Sequence, residues 1–232
     1  MENHGKLCVG CDQCNQRSPL FSHLSPEELR LLNRDRYSVW FHEGEVILKQ
    51  GTQAKYLVSV VDGFTKQYIE GHHDRKLVLD FVKPWHLVGA PGVHMNGKYN
   101  FTLVAIRETL VCFIDAENFK EVLSMNSGFS DAYIQFCSAT YGRSLERMVS
   151  LSQKQMHGRI ADALIFLSGE VFESSTIGEE ISRQDVADYT SMSKDSAIRI
   201  LKEFEKEDII RLEGRKLCLQ DPEALKKISA MG

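Results

Sequence analysis

The chain has 232 residues, 43% hydrophobic and 26% charged, with a formal net charge of −4. These are ordinary globular values and the length suits two domains, which excludes a disordered, collagenous or disulfide-scaffold protein. No apolar run approaches the roughly 18 residues a membrane span needs, and Met1-Glu2-Asn3-His4 opens no basic or apolar leader.

A cytoplasmic protein with no membrane partner is therefore expected. Its six cysteines are read as thiols or metal ligands rather than disulfides. The small negative charge argues against nonspecific coating of nucleic acid and leaves local DNA contacts open.

The first eighteen residues carry Cys8, Cys11 and Cys14 in a C-x2-C-x2-C spacing with little apolar content. Ser25-Pro26-Glu27-Glu28 then spells a capping box with proline at the first helical position, so a short helix is predicted to start there. From about Arg36 to Ile114 the pattern is that of strands. The runs Tyr37–Phe41, Glu45–Leu48, Tyr56–Val61, Thr65–Ile69, Leu77–Val82, Phe101–Ile106 and Thr109–Ile114 are rich in β-branched and aromatic residues. Gly44, Gly51, Asp62-Gly63, Gly71–Asp74 and Asn96-Gly97 separate them. Short strands at this spacing predict a small antiparallel sandwich, roll or barrel.

After Asp115 the period becomes helical. Ile134, Cys137, Tyr141, Ser144, Met148 and Leu151 recur at intervals of three and four, a seam that fits a dimer helix. A helix packed on its own domain is the other reading. The C-terminal third reads as helices at about Gly158–Ser168, Arg183–Tyr189 and Lys194–Glu207. It is predicted to end in a hairpin, Ile209–Leu212 with Lys216–Leu219.

Ile181–Leu201 follows helix-turn-helix logic. Ser182 can cap the first helix, small Ala187 lets two helices approach, and Thr190–Ser193 is the turn, with Ser193 capping the second helix. Ile198 and Leu201 are expected to bury that second helix. Lys194, Asp195, Ser196 and Arg199 then share its exposed N-terminal face, where arginine can read guanine and an acid can accept from the cytosine amine. A plain helical hairpin with a solvated face is the competing reading. Residues 155–232 hold eleven Lys+Arg against fifteen Asp+Glu. The acids Glu203, Glu205, Glu207 and Asp208 are therefore expected to face away from DNA, and Arg183 and Lys202 to reach it. No Gly-rich phosphate loop, H-E-x-x-H or G-x-S-x-G is present, so an enzyme is not expected.

The order of strand roll, long helix and winged helix-turn-helix resembles the Crp/Fnr family of bacterial transcription regulators. Gly44–Gly51 followed by Tyr56-Leu57-Val58 and Asp62-Gly63 is similar to the cyclic-nucleotide-binding β-roll signature. Ser182–Asp185 and Lys194–Arg199 are similar to the family's helix-turn-helix, which carries a glycine in the turn where this chain has Ser191. The resemblance implies an α+β fold: an N-terminal antiparallel β-roll, a long dimerisation helix and a C-terminal winged helix-turn-helix. The segments would be 1–18 (cysteine-containing), 19–127 (sensor roll), 128–154 (dimer helix) and 155–232 (DNA-binding domain). It further implies a homodimer on palindromic double-stranded DNA that works with RNA polymerase. The implied DNA contacts are Ser182, Arg183, Lys194, Asp195, Ser196, Arg199 and Lys202.

The family's cyclic-AMP members hold ribose and phosphate with a Gly-Glu-Leu stretch and an Arg-Ser pair. Here those places read Gly89-Ala90-Pro91 and Lys98–Phe101, so cyclic AMP is not expected, because a buried cyclic phosphate needs a cationic fork. The three N-terminal cysteines and Cys112 resemble the ligand set of the oxygen-sensing FNR branch, which implies a [4Fe–4S] cluster on Cys8, Cys11, Cys14 and Cys112. Zinc or a thiol switch at these cysteines, and cysteines with no cofactor beside a small-molecule site in the roll, are the alternatives.

Overall fold

The structure is a computed structural model that describes residues 14, 18–89, 92 and 97–232. Cys8 and Cys11, and Ala90-Pro91 of the Gly89 stretch, lie outside the described residues. After a 3-10 turn at Pro19–His23, helix α1 spans Pro26–Leu32. It starts where its capping box dictates: Glu28 N donates to Ser25 Oγ (3.3 Å) and Ser25 N to Glu28 Oε2 (2.7 Å).

Eight strands follow: β1 (Tyr37–Phe41), β2 (Val46–Leu48), β3 (Tyr56–Asp62), β4 (Thr65–Glu70), β5 (Lys76–Val82), β6 (Leu87–Val88), β7 (Thr102–Ala105) and β8 (Thr109–Asp115). They form two four-stranded sheets, in the orders β1-β8-β3-β6 and β2-β7-β4-β5. All but β6 fall on the predicted runs. β6 is two residues long and exists through its antiparallel pairing with β3, Val58↔Val88 and Ser59↔Leu87. β3 and β8 are buried on both faces, which explains their continuous apolar runs. Phe113 stacks on Tyr37 (4.9 Å, 11°) and meets Tyr56 edge-on (5.9 Å). The Asp62-Gly63 turn requires its glycine twice over. Its φ is +97°, and a Cβ there would lie 2.4 Å from Thr109 Oγ1 and 2.5 Å from Glu108 O.

Asp115 ends β8 and caps helix α2 (Ala116–Met125) by accepting from Glu117 N and Asn118 N. Helix α3 runs from Ser127 to Gln153. Its Phe129 packs edge-on against Phe119 of α2 (5.7 Å) and near Phe21 (6.3 Å), all three fully buried.

The described residues group into two compact units. One holds those up to Gln67 together with Phe81–Thr140; the other joins Tyr68–Asp80 to Tyr141–Gly232. The second unit contains α4 (Met156–Phe166), a π turn at Leu167–Val171, β9 (Thr176–Ile177), α5 (Arg183–Tyr189), α6 (Lys194–Lys206), β10 (Ile210–Glu213), β11 (Lys216–Leu219) and α7 (Pro222–Met231). The hairpin is the core of a three-stranded sheet, β10-β11-β9. The expectation that the chain ends in that hairpin is corrected by α7. Asp221 caps this helix by accepting from Ala224 N (2.9 Å), and Pro222 opens it, the same local grammar that starts α1.

Within this second unit Arg147 of α3 is a packing centre. Its guanidinium donates to the carbonyls of Val78, Leu79 (2.7 Å) and Tyr189 (2.8 Å), and lies 3.9 Å over the Tyr189 ring. Tyr189 in turn stacks on Phe166 (5.3 Å). Burial pushes the arginine below its usual value, opposed by Tyr189 and Asp80. The group closes an edge strand and the C-terminal end of α5, where cations are favoured. Arg147→Ala strands these carbonyls and should lower stability by about 3 kcal/mol. The shift of the urea midpoint measures it, and an unshifted midpoint would show that water replaces the guanidinium.

Candidate nucleic-acid interface

Helix α5 begins in a second capping box. Asp185 N donates to Ser182 Oγ (3.1 Å), and both Ser182 N and Oγ donate to Asp185 Oδ2 (3.0 and 2.5 Å). Asp185 is buried by this arrangement. The helix stops at Thr190, whose hydroxyl donates back to Val186 O (2.7 Å). Ser191 then adopts φ +53°, the left-handed conformation that glycine takes without strain, and Met192 N donates to Ala187 O (3.0 Å). Ser193 caps α6 by accepting from Ser196 N (3.2 Å). Val186 and Ala187 are fully buried against the facing helix, as a tight α5–α6 crossing requires.

Ala197, Ile200, Leu201 and Phe204 form the buried side of α6. The expectation for Ile198 is corrected, since it is only half-buried. The i, i+3, i+4, i+7 stripe runs through Ala197 instead, which turns Ile198 toward the open side. There it lines a shallow groove with Asp195, Arg199, Lys202, Glu203 and Lys206. An apolar side chain on such a face can touch a thymine methyl, a contact that its aliphatic character hid in the sequence.

The predicted contact residues divide into two groups. Lys194, Asp195, Arg199 and Lys202 are exposed on α6, and Ser196 is half-buried beside its cap partner Ser193 (2.9 Å between hydroxyls). Ser182 and Arg183 are engaged internally: the first as a cap, the second in reaching the wing turn, where its Nη2 donates to Gly214 O (3.4 Å). Burial pushes Arg183 below its usual value, against the pull of Glu205.

The acids behave in two ways. Glu205 turns inward and accepts from Leu212 N (3.0 Å), fixing the wing strand. Glu203 shares the groove of α6 that carries Arg199. Its Oε1 accepts from Arg199 Nη1 (2.8 Å), and its Oε2 shares a hydrogen bond with His157 Nε2 (2.7 Å). His157, and after it Arg199, hold the Glu203 carboxyl below the usual carboxylate range.

Of the 27 residues of α3, Phe129 alone is buried. Ile134 (59% exposed), Tyr141 (64%) and Met148 (61%) stand out from it, with Ser144 exposed and Cys137 and Leu151 half-buried. Leu145 and Val149 add to this uncovered apolar stripe and were not in the predicted seam.

Cys112 lies on β8 directly between Ser38 of β1 and Ser59 of β3. Its buried Sγ accepts from Arg36 Nη1 (3.1 Å) and shares a hydrogen bond with Ser38 Oγ (3.2 Å). Arg36 is fixed in turn through Nε to Asn33 Oδ1 (2.7 Å). Guanidinium and hydroxyl donors aimed at one sulfur suit a negatively charged, ligating sulfur, whose hydrogen bonds tune a bound iron–sulfur group. Cys14 is half-buried. Among the described residues no group of three or more His, Cys, Asp or Glu is gathered for a metal. Where the family's phosphate arginine would fall, Tyr99 and Phe101 are buried, and Tyr99 Oη donates to Tyr56 O (2.7 Å).

A strand roll leading through a long helix into a winged helix-turn-helix defines a transcription regulator with a sensor-type domain and a DNA-reading domain. Residues 38–126 match the cyclic nucleotide-binding domain family, and residues 158–228 the Crp-like helix-turn-helix domain. The chain is a Crp/Fnr-family DNA-binding transcription regulator and not an enzyme. It is 22% identical to the nitrogen fixation regulation protein FixK of Bradyrhizobium diazoefficiens, over 99% of this chain and 97% of that one. With the transcriptional activator protein FnrL of Cereibacter sphaeroides it shares 21%, over 92% and 83% of the two chains. The solved structure of FixK2 from Bradyrhizobium japonicum has the same fold, with a TM-score of 0.76 at 18% identity over 83% of this chain and 96% of that one. Among the described residues no helix is long and apolar enough to cross a membrane.

Proposed function

We propose that the protein acts in the cytoplasm as a homodimer on a palindromic operator, reading each half-site with α6 and working with RNA polymerase. The observation that carries this reading is the apolar stripe Ile134, Tyr141, Leu145 and Met148, uncovered on the helix just before the helix-turn-helix. A two-fold pairing along it would space two recognition helices by about 34 Å, one turn of B-DNA. Lys194, Asp195, Ser196 and Arg199 supply the base-facing end of α6, and Lys202 a phosphate contact. The acidic balance of this domain is compatible with that role because Asp185 and Glu205 are turned inward.

Arg199→Ala should cost about 1–3 kcal/mol and relax specificity at one base pair per half-site. Lys202→Ala should weaken all sequences alike and flatten the salt slope by about one unit. Titrations of both variants against single-base operator mutants separate the two roles. Equal, sequence-independent losses would reduce Arg199 to a phosphate contact.

For the signal, we propose an iron–sulfur cluster held by Cys8, Cys11, Cys14 and Cys112, with the donor set around Cys112 as support. Such a cluster, when bound, supplies an oxygen- or redox-labile group. Ser38 and Arg36 would direct their donors at its one ligand from the roll. The visible spectrum of anaerobically purified protein tests this: brown protein supports the cluster, and colourless protein carrying zinc favours a structural cysteine site. A small molecule in the roll is the rival signal. Buried Tyr99 and Phe101, in place of a cationic fork, weigh against its being a cyclic phosphate.

A further inference from the structure

We propose that Glu203 is a positioning residue for base reading: it holds the Arg199 guanidinium in a fixed orientation on α6, and His157 of α4 anchors it there. The proposal rests on the reading of Arg199 as a base contact.

The two oxygens of one carboxylate are divided between two partners on two helices, Oε1 to Arg199 (2.8 Å) and Oε2 to His157 (2.7 Å). An arginine–glutamate pair four residues apart on an exposed helix is weak by itself and leaves both side chains free to change rotamer. Here the glutamate is also held from outside its own helix. The His157 ring sits 6.0 Å from the ring of Phe204, a core residue of α6, so one side of the half-exposed anchor rests against that core.

An arginine fork has five N–H donors. Glu203 engages one at Nη1 and leaves Nη2 and Nε to meet a base edge. A carboxylate on a DNA-facing groove repels phosphate, so its presence lowers affinity for every sequence. What it supplies in return is a pre-set guanidinium plane, and bidentate recognition depends on that plane.

The test compares wild type, Glu203→Gln, Glu203→Ala, His157→Ala and Arg199→Ala in binding to a randomised duplex library and to the selected operator. Melting curves check that each variant is folded. Glu203→Gln keeps an acceptor for Arg199 and loses the charge, so it should bind all duplexes more tightly with wild-type discrimination. Glu203→Ala should show the same general gain. At the base pair relaxed by Arg199→Ala, however, its discrimination should fall about three- to tenfold, the range covered by leaving one long side chain unordered. His157→Ala should lose discrimination at that same base pair without the general gain in affinity.

Unchanged discrimination in Glu203→Ala would overturn the proposal and leave Glu203 a surface charge. If Arg199→Ala itself shows no base-specific loss, the reading of Arg199 fails, and the proposal fails with it. The two failures are thus told apart by which variant, Glu203→Ala alone or Arg199→Ala as well, keeps wild-type selectivity.

Discussion

Met148→Glu should convert the protein to monomers and lower operator affinity by about 10²–10⁴-fold, the advantage that joining two half-site contacts provides. Met148 is 61% exposed and stands on the same stripe as Tyr141 and Leu145. In a two-fold pairing along this stripe the substitution brings two carboxylates together among apolar side chains. At 4 Å and an effective dielectric of about 20, like charges repel by about 4 kcal/mol, and desolvation adds to that. Glutamate is a good helix former, so α3 itself is not weakened. Met148→Leu, similar in volume, should remain dimeric. Sedimentation of the two variants decides the matter. A dimeric Met148→Glu protein would place the interface on another surface. Met125 (65% exposed) is the last residue of α2 and is not on the stripe, so Met125→Glu serves as the control that leaves association intact.

The parts of the fold that were legible in the sequence are those whose causes are local. Ser25 with Glu28, and Ser182 with Asp185, are three residues apart, and each pair fixes a helix start by itself. The seven strands of three to seven residues in the roll announce themselves through β-branched and aromatic runs between turns. β6 and β9 are two residues long and owe their existence to partners far along the chain, Val58 and Ser59 for the one, Leu217 and Cys218 for the other. No window of sequence holds that information. Helix α7 has its own local start signal, Asp221-Pro222, directly after the wing hairpin.

At the candidate interface, the identity of the exposed residues followed from helical periodicity, and their partners did not. Arg183 turns to the wing through Gly214, thirty-one residues away, and Arg36 reaches Cys112 across seventy-six. Glu203 was expected to avoid the DNA side because it is acidic. Its position four residues after Arg199 puts it on the same side of α6 as that arginine whatever its charge, because helical periodicity sets the side.

Cys8→Ser, Cys11→Ser, Cys14→Ser and Cys112→Ser should each abolish the visible absorbance of anaerobically purified protein and the oxygen sensitivity of its DNA binding. Cys137→Ser and Cys218→Ser should change neither. The sulfurs of Cys112, Cys137 and Cys218 differ in their surroundings. Cys112 is met by a guanidinium and a hydroxyl. Burial pushes the Cys137 thiol up, opposed by its Tyr133 neighbour, so it offers little thiolate. Cys218 is buried in the wing and accepts from Thr176 Oγ1 (3.7 Å). Ligation by Cys112 would tie the N-terminal segment to β8, the strand that leads through Asp115 into the α2 and α3 helices. A gain or loss of that tie needs to bias association by only a few kcal/mol to switch operator occupancy. Arg36→Ala offers a separate readout. Removing a cationic donor from a ligating sulfur should lower the reduction potential of the bound group while leaving iron and sulfide content intact. A Cys112→Ser protein with full iron, sulfide and oxygen response would remove the roll from the ligand set. The N-terminal triplet would then have to find its fourth ligand elsewhere or hold zinc, and the donors around Cys112 would be reduced to packing.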